Sequence, residues 1–390
     1  MDAVADADRV TRRRDIVLGA GALAAGAGVL GALSGSDKPD RPRAAPDGVA
    51  APNLNRGIRR FRMATSWPKD FPGLGIMPER FADAVRAMSD GLLDVKVYAA
   101  GELVGALECF NATSTGAADM YHAAEYYWQG VSPGFTFFTA VPMGMTATEI
   151  MGWIDWGGGQ ELWHELSARN NVIAFQAGNT GHQTGGWFKR PLTGLEDLKG
   201  LRMRMPGLGG KVLTELGATP VLLPGGEIYQ ALQSGSIDAT EWVGPWNDLA
   251  LGFYREAPHY YVPGFHEPGA SLAVGVNLNR WAGLSTSEQA IIRHACKSAN
   301  DQSIGEYTVE NARALETLRD RHGIEPQLMP DEILRAVGDT ADAIVGDLAQ
   351  GDPLVTRIFD SYIAARNRYA EWTEISDGAF IRARALRQQG

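Results

Sequence analysis

The feature that most constrains this chain is a repeated alternation of short β patterns and amphipathic helices, punctuated by glycine turns. "RRFRMATSW" reads as a strand running into a loop, and 78–88 as a helix with Phe81, Ala84 and Val85 inward. "LLDVKVYAAG" alternates like a strand, and "ELVGALECFNATSTGAADMYHA" reads as a helix, a turn at Gly116 and a short strand through Met120. The order recurs in "NNVIAFQAGN", a strand, and in "LEDLKGLRMRMPG", a short helix and a strand. "GGKVLTELGATPVLLP" and "GEIYQALQSGSIDATEWVG" each give a helix followed by a strand. Such alternation predicts an α/β fold with mostly parallel sheets. In these sheets ligands sit beyond the carboxyl ends of strands, and Asn179, Arg204 and Glu241 all fall near such ends.

After Trp281 the pattern becomes almost purely helical. "LSTSEQAIIRHACKSANDQSIGEYTVENARALETLRDRHG" opens on a capping box, Ser285 and Glu288, and stops at Gly323. Its expected apolar positions are Ile291, Ile292, Ala295, Ile304, Tyr307 and Leu315. A helix of more than about 30 residues is longer than one ordinary lobe is wide, so it should span two lobes or reach a second subunit. "DEILRAVGDTADAIVGDLA" and "PLVTRIFDSYIAARNRYAEWTE" predict two more amphipathic helices.

The N-terminal segment stands apart. An arginine cluster, Arg12 to Arg14, precedes a Gly/Ala-rich apolar run from Ile16 to Leu33, and Arg13-Arg14 before a polar residue and Ile-Val looks like a twin-arginine export signal over 1–34. Residues 35–57 read as a polar, Pro-rich linker with no packing pattern. Cys109 and Cys296 are the two cysteines, too few for a metal cluster or disulfide framework, and are expected to be buried free thiols. Hydrophobic content of 45% with 21% charged residues fits a globular chain, and the net charge of −10 argues against a nucleic-acid partner.

The candidate chemistry lies between Asn179 and Glu267. "GNTGHQTGGWF" offers Asn179, His182 and Gln183 in a Gly-rich loop before Trp187 and Phe188, which suits a lined pocket. "LRMRMPG" places Arg202 and Arg204 on one strand face, where a guanidinium can hold a carboxylate through two parallel bonds or lie in water. Glu241 and Glu267 sit among Trp242, Trp246, Phe253, Tyr260, Tyr261 and Phe265, and a carboxylate in such company must be paired or metal-bound. Cation or ligand binding, catalysis and a structural role stay open for that pair. His266 is a hydrogen-bonding wall residue or, less simply, a catalytic neighbour. There is no HExxH, no G-x-S-x-G and no P-loop, so enzymatic machinery is largely missing.

These motifs resemble the extracytoplasmic solute receptors of TRAP transporters (DctP-type), in the branch that binds 2-oxo and 2-hydroxy monocarboxylates. The resemblance rests on "RMATSWPKDFPGLG", "GNTGHQTGGWF", "DLKGLRMRMPGLGG", "GGEIYQALQSGSIDATEWVGPWNDL" and "YYVPGFHEPG", in this order. It implies a non-enzymatic, two-lobed, type II-like periplasmic-binding-protein fold with hinge strands. Lobe I would comprise 58–176 and 264–284, lobe II 177–263, and the C-terminal helices 285–390, spanning or dimerising. It further implies Arg204 on the ligand carboxylate. One cation, Na⁺ or Ca²⁺, would lie among Gln183, Glu241, the Trp242 carbonyl and Glu267, with Gln183 and Trp242 also touching the ligand. Tyr126 or Tyr127 would close the other side, near Asn179. Implied partners are a small carboxylate, the TRAP membrane permease and a homodimer mate, in the periplasm after Tat export. One arginine against two glutamates and a ligand carboxylate leaves two negative charges, which favours Ca²⁺ on formal charge. The competing expectations are an exported hydrolase using Glu241 and Glu267, and a non-binding component of a respiratory or sensor complex.

Overall fold

The computed structural model describes residues 57–387. The segment expected to be a twin-arginine signal, 1–34, and nearly all of the expected linker, 35–57, lie outside the described residues. Among the described residues no helix is long and apolar enough to cross a membrane.

Among the described residues eleven strands follow one another: β1 (Arg59–Thr65), β2 (Leu93–Tyr98), β3 (Met120–Ala123), β4 (Val172–Asn179), β5 (Gly186–Phe188), β6 (Arg202–Arg204), β7 (Thr219–Val221), β8 (Ala239–Thr240), β9 (His259–Val262), β10 (Ser271–Asn277) and β11 (Gln327–Leu328). They form two sheets, ordered β2-β1-β3-β10-β4 and β11-β9-β5-β8-β6-β7. The expectation of mostly parallel sheets is corrected: β10 runs antiparallel between β3 and β4, and β5 antiparallel between β8 and β9. The cause is the path of the chain. It leaves the first sheet after Asn179, enters the second at Gly186, and returns between Val262 and Ser271. Each crossing delivers a strand in the reversed sense. The two crossings pair with each other, Gln183 N–H donating to Glu267 O (3.2 Å) and Gly264 N–H to Gln183 O (2.9 Å).

The helix predicted from the capping box runs Thr286–His322, 37 residues or about 55 Å of rise. Ser285 and Glu288 form the reciprocal cap and Gly323 ends the helix in the left-handed region, at φ 67°. Its inward face departs from the expected set: Ile304 and Leu315 are half-buried, whereas polar Asn300 and Ser303 are buried. Ser303 is taken inward by a job, accepting the Asn179 N–H at 2.9 Å. The N-terminal half of this helix, with Ile292, Ala295 and Ala299, packs with Phe81 and Val85 on one face of the first sheet. Its later residues Tyr307 and Leu318 join a cluster with Trp187, Trp242 and Tyr260 from the second. The helix therefore spans both lobes.

The other face of the first sheet carries an aromatic core in which Phe138 stacks on Trp153 (5.2 Å) and Trp163 (4.9 Å). Helix Pro353–Thr373 packs there through Ile358 and Tyr362, while Asp331–Leu348 packs on the second lobe through Ile333 and Val337. The chain thus forms an α/β, two-lobed fold braced by its C-terminal helices. Residues 102–108, expected to begin a helix, are a loop, and the helix occupies only Cys109–Thr115. Both cysteines are buried and free.

Candidate functional site

Strands β6 and β8 are parallel neighbours, with Arg204 opposite Thr240. Their carboxyl ends therefore bring Arg204 and Glu241 side by side, and the Glu241 N–H donates to Arg204 O at 3.3 Å. The Arg204 guanidinium pairs directly with Glu241 Oε1, both side chains being fully buried. It also donates to Leu223 O (3.2 Å) and lies 4.9 Å over the Trp242 ring. Arg202, two residues back on the same strand, takes the surface alternative: it forks onto Asp238 and is exposed.

The other carboxylate oxygen of Glu241 lies 3.1 Å from His266 Nε2. Glu267 accepts from Gln183 Nε2 at 2.7 Å and from the Tyr126 hydroxyl. Ligand atoms of Glu241, His266 and Glu267 all fall within 4.8 Å of one another, and all three residues are buried. Burial, then the nearby Glu241 charge, pushes the Glu267 carboxyl up to about 7. Burial disfavours a charged His266, yet Glu241 and then Glu267 outweigh it and raise the ring above its ordinary value. Burial likewise opposes the Arg204 charge, and Glu241 more than restores it.

A small cavity opens beside this cluster, lined on one side by Gln183, Arg204, Trp242 and Glu267 and on the other by Tyr126 and Tyr127. Apart from Thr180, the remainder of its wall is apolar: Trp67, Leu74, Ala124, Val243 and Leu272. Trp67 is fixed by its indole N–H donating to His122 Nδ1 at 2.8 Å. The fold reaches this closeness through glycine. A Cβ on Gly264 would lie 2.6 Å from the Gln183 carbonyl, and one on Gly225 would lie 2.5 Å from the Trp242 ring.

Of the residues singled out in the sequence, Gln183, Arg204, Trp242, Glu267, Tyr126 and Tyr127 line the cavity, and Glu241 stands behind Arg204. Asn179 sits behind the cavity: its Oδ1 accepts the Gly181 N–H (2.8 Å) and so shapes the loop that presents Gln183. His182 is exposed and Thr184 buried. Sequence reasoning overlooked Trp67, Leu74, Thr180 and Leu272. The strand-end rule could have found Trp67, two residues beyond β1.

Gln183 Oε1 is buried with no hydrogen-bond partner, while its Nε2 donates to Glu267 and to Thr180 Oγ1 (3.0 Å). An orphaned amide oxygen beside two buried carboxylates suits a hard, oxygen-seeking cation, so the residues present fit one.

Two lobes joined by paired crossings and a spanning helix, with a small polar-floored cavity between them, define a solute-binding protein. A sequence profile of the bacterial extracellular solute-binding proteins, family 7 (DctP), matches residues 63–350, and the chain belongs to that family. It is 40% identical to a monocarboxylate 2-oxoacid-binding periplasmic protein of Nostoc sp. over 318 residues, 82% of this chain and 87% of that one. Among solved structures it resembles a TRAP transporter solute-binding protein from Bordetella bronchiseptica, a mixed-occupancy dimer with copurified calcium and picolinate (TM-score 0.83, 32% identity, 85% of this chain and 99% of that one). It also resembles a TRAP periplasmic solute-binding protein from Pseudoalteromonas atlantica with bound sodium and pyruvate (TM-score 0.81, 36% identity, 83% and 99%). The family consists of substrate-binding receptors rather than enzymes, and this chain is a receptor of the TRAP type.

Proposed function

We propose that the chain captures a short 2-oxo or 2-hydroxy monocarboxylate in the periplasm, after Tat export, and passes it unchanged to a TRAP membrane permease. The composition of the cavity wall carries this reading: Arg204 is the single Lys or Arg among the lining residues, and most of the rest is aromatic or aliphatic. One guanidinium recognises one carboxylate through a two-pronged contact. A dicarboxylate would need a second fixed cation among the lining residues.

Glu241, Glu267, the Gln183 amide oxygen and the Trp242 carbonyl would hold the cation, Na⁺ or Ca²⁺, and Gln183 and Trp242 also border the ligand. The cation would supply positive charge to the ligand's carboxylate and 2-oxygen. Tyr126 and Tyr127 would face the ligand from the other lobe, with Asn179 shaping the Gln183 loop. His266 changes the charge count that favours Ca²⁺. With a neutral ring the set needs two positive charges, and with a charged ring it needs one, so formal charge admits either ion.

Arg204 is engaged by Glu241 in this structure. A ligand carboxylate that displaces Glu241 from the guanidinium would leave Glu241 needing another positive partner. Acid and cation would thus enter as a pair, each making the site better for the other. The hydrolase alternative gains nothing from the arrangement, since Glu241 is committed to Arg204 and His266.

The C-terminal helix Ala379–Leu386 leaves Phe380, Ile381 and Leu386 exposed, along with Trp372 and Ile375 just before it. So much unpartnered apolar surface suits a homodimer mate. A thermal-shift screen of small carboxylates with Na⁺, with Ca²⁺ and after chelation tests the function. Stabilisation by 2-oxo or 2-hydroxy monocarboxylates supports it. Stabilisation only by sugars, amines or dicarboxylates contradicts it.

A further inference from the structure

The short helix Pro245–Leu251 follows the loop that carries Glu241 and Trp242, and two of its polar side chains are fully buried although neither lines the cavity. Asp248 holds the loop. Its Oδ1 accepts from the backbone N–H groups of Val243 and Gly244, both at 3.2 Å. Its Oδ2 accepts from the Trp187 indole (2.8 Å) and the Tyr260 hydroxyl (3.4 Å), two rings stacked on each other at 3.8 Å.

Asn247, the next residue, serves other parts of the molecule. Its amide nitrogen donates to Pro72 O at 2.9 Å, in the loop that leaves first-sheet strand β1. Its oxygen accepts from the Tyr307 hydroxyl at 2.8 Å, on the spanning helix Thr286–His322. The fit around this point is close. A Cβ on Gly73 would lie 2.6 Å from the Tyr307 hydroxyl and 2.9 Å from the Trp246 ring. Phe71 meets the Trp242 ring edge-on at 6.4 Å. One side chain thus ties the second lobe to the first and to the helix that spans both. It sits one peptide from the residue that fixes the binding loop.

We infer that Asn247 is a positioning residue for ligand retention: it clasps the lobes in the closed arrangement, and through Asp248 that closure is carried to the Glu241–Trp242 loop. The inference rests on the receptor reading above. Its logic is that Asn247 bonds Pro72 only when the lobes meet. On opening, both groups turn to water, which satisfies them nearly as well. The clasp therefore weights the closed state and slows ligand escape, without altering encounter with the open one.

The test is stopped-flow binding to the wild type, Asn247→Ala and Tyr307→Phe. The probe is the tightest-binding member of a panel of two- to six-carbon 2-oxo acids with Ca²⁺ or Na⁺. Asn247→Ala is expected to raise koff about tenfold, and Tyr307→Phe, which keeps the ring, about threefold. For both, kon should stay within about twofold and the unliganded melting temperature within about 2 °C of wild type. An unchanged koff, a loss carried by kon, or a loss matched by a lower unliganded melting temperature overturns the clasp. A wild type that binds no member of the panel overturns the receptor reading and this inference with it. Binding by the wild type beside unaffected variants overturns the clasp alone.

Discussion

The Arg204 guanidinium and the Glu241 carboxylate form a fully buried ion pair at the adjoining ends of two parallel strands. A pair so placed is held by backbone register, and the cavity borders its arginine. On the proposed reading, Arg204 would be the charged partner of the acid and Glu241 that of the cation.

Removing the arginine should separate binding from folding. Arg204→Ala leaves Glu241 with His266 alone, so denaturant unfolding should show a loss of about 3 kcal/mol from a broken buried pair. The variant should stay folded, with acid affinity by calorimetry lowered by at least about 100-fold. Retained affinity would remove Arg204 from the site.

The buried acids predict how stability varies with pH. Burial, then Glu241, raises Glu267 from 4.5 to about 7, and burial raises Asp248 to about 7 and Glu125 to about 8. Each keeps a proton in the folded chain that the unfolded chain has already released, so its stabilisation is lost as pH rises toward the folded value. His266, also raised, contributes stability that is complete below 6.5 and lost above. His122, lowered by burial to about 4, acts oppositely, but only between about 4 and 6.5. Without added cation or acid, the melting temperature should therefore fall from pH 6.5 to 8. A rise across that window would contradict the assignment.

Gly264→Ala tests the crossing that brings Gln183 to Glu267. The new methyl would press on the Gln183 carbonyl at 2.6 Å, and backbone on both sides leaves little room to yield. Destabilisation of about 1–3 kcal/mol is expected, with cation affinity reduced more than in a surface Gly→Ala control. Circular dichroism melts and cation titration check it.

The exposed C-terminal rings give a separate outcome. Sedimentation should show the wild type dimeric and the double variant Trp372→Glu, Phe380→Glu monomeric, since charges placed on an apolar interface oppose association. A wild-type monomer would leave those rings needing another partner.

Much of the fold was legible where signals are local. Ser285, Glu288 and Gly323 set the ends of the spanning helix because caps act within a turn. Glu241 among its rings announced burial because an unpaired buried carboxylate is so costly. What escaped depends on residues distant in the chain. That Arg204 would be buried while Arg202 is exposed follows from where β6 lies beside β8. That His266 would meet Glu241 depends on the return crossing, as do the antiparallel β10 and the apolar wall at Leu272. Ser303 turned inward for a backbone N–H supplied by Asn179, more than a hundred residues earlier, which no periodicity records.

The most direct measurement is calorimetric titration of pyruvate and related 2-oxo and 2-hydroxy monocarboxylates into the wild type, with cation present and after chelation. The account predicts tight one-to-one binding with the cation and binding weakened by at least about tenfold without it, with the acid strengthening cation binding by the same factor. Equal affinity in both conditions, or tight binding that survives Glu241→Gln and Glu267→Gln, would contradict it.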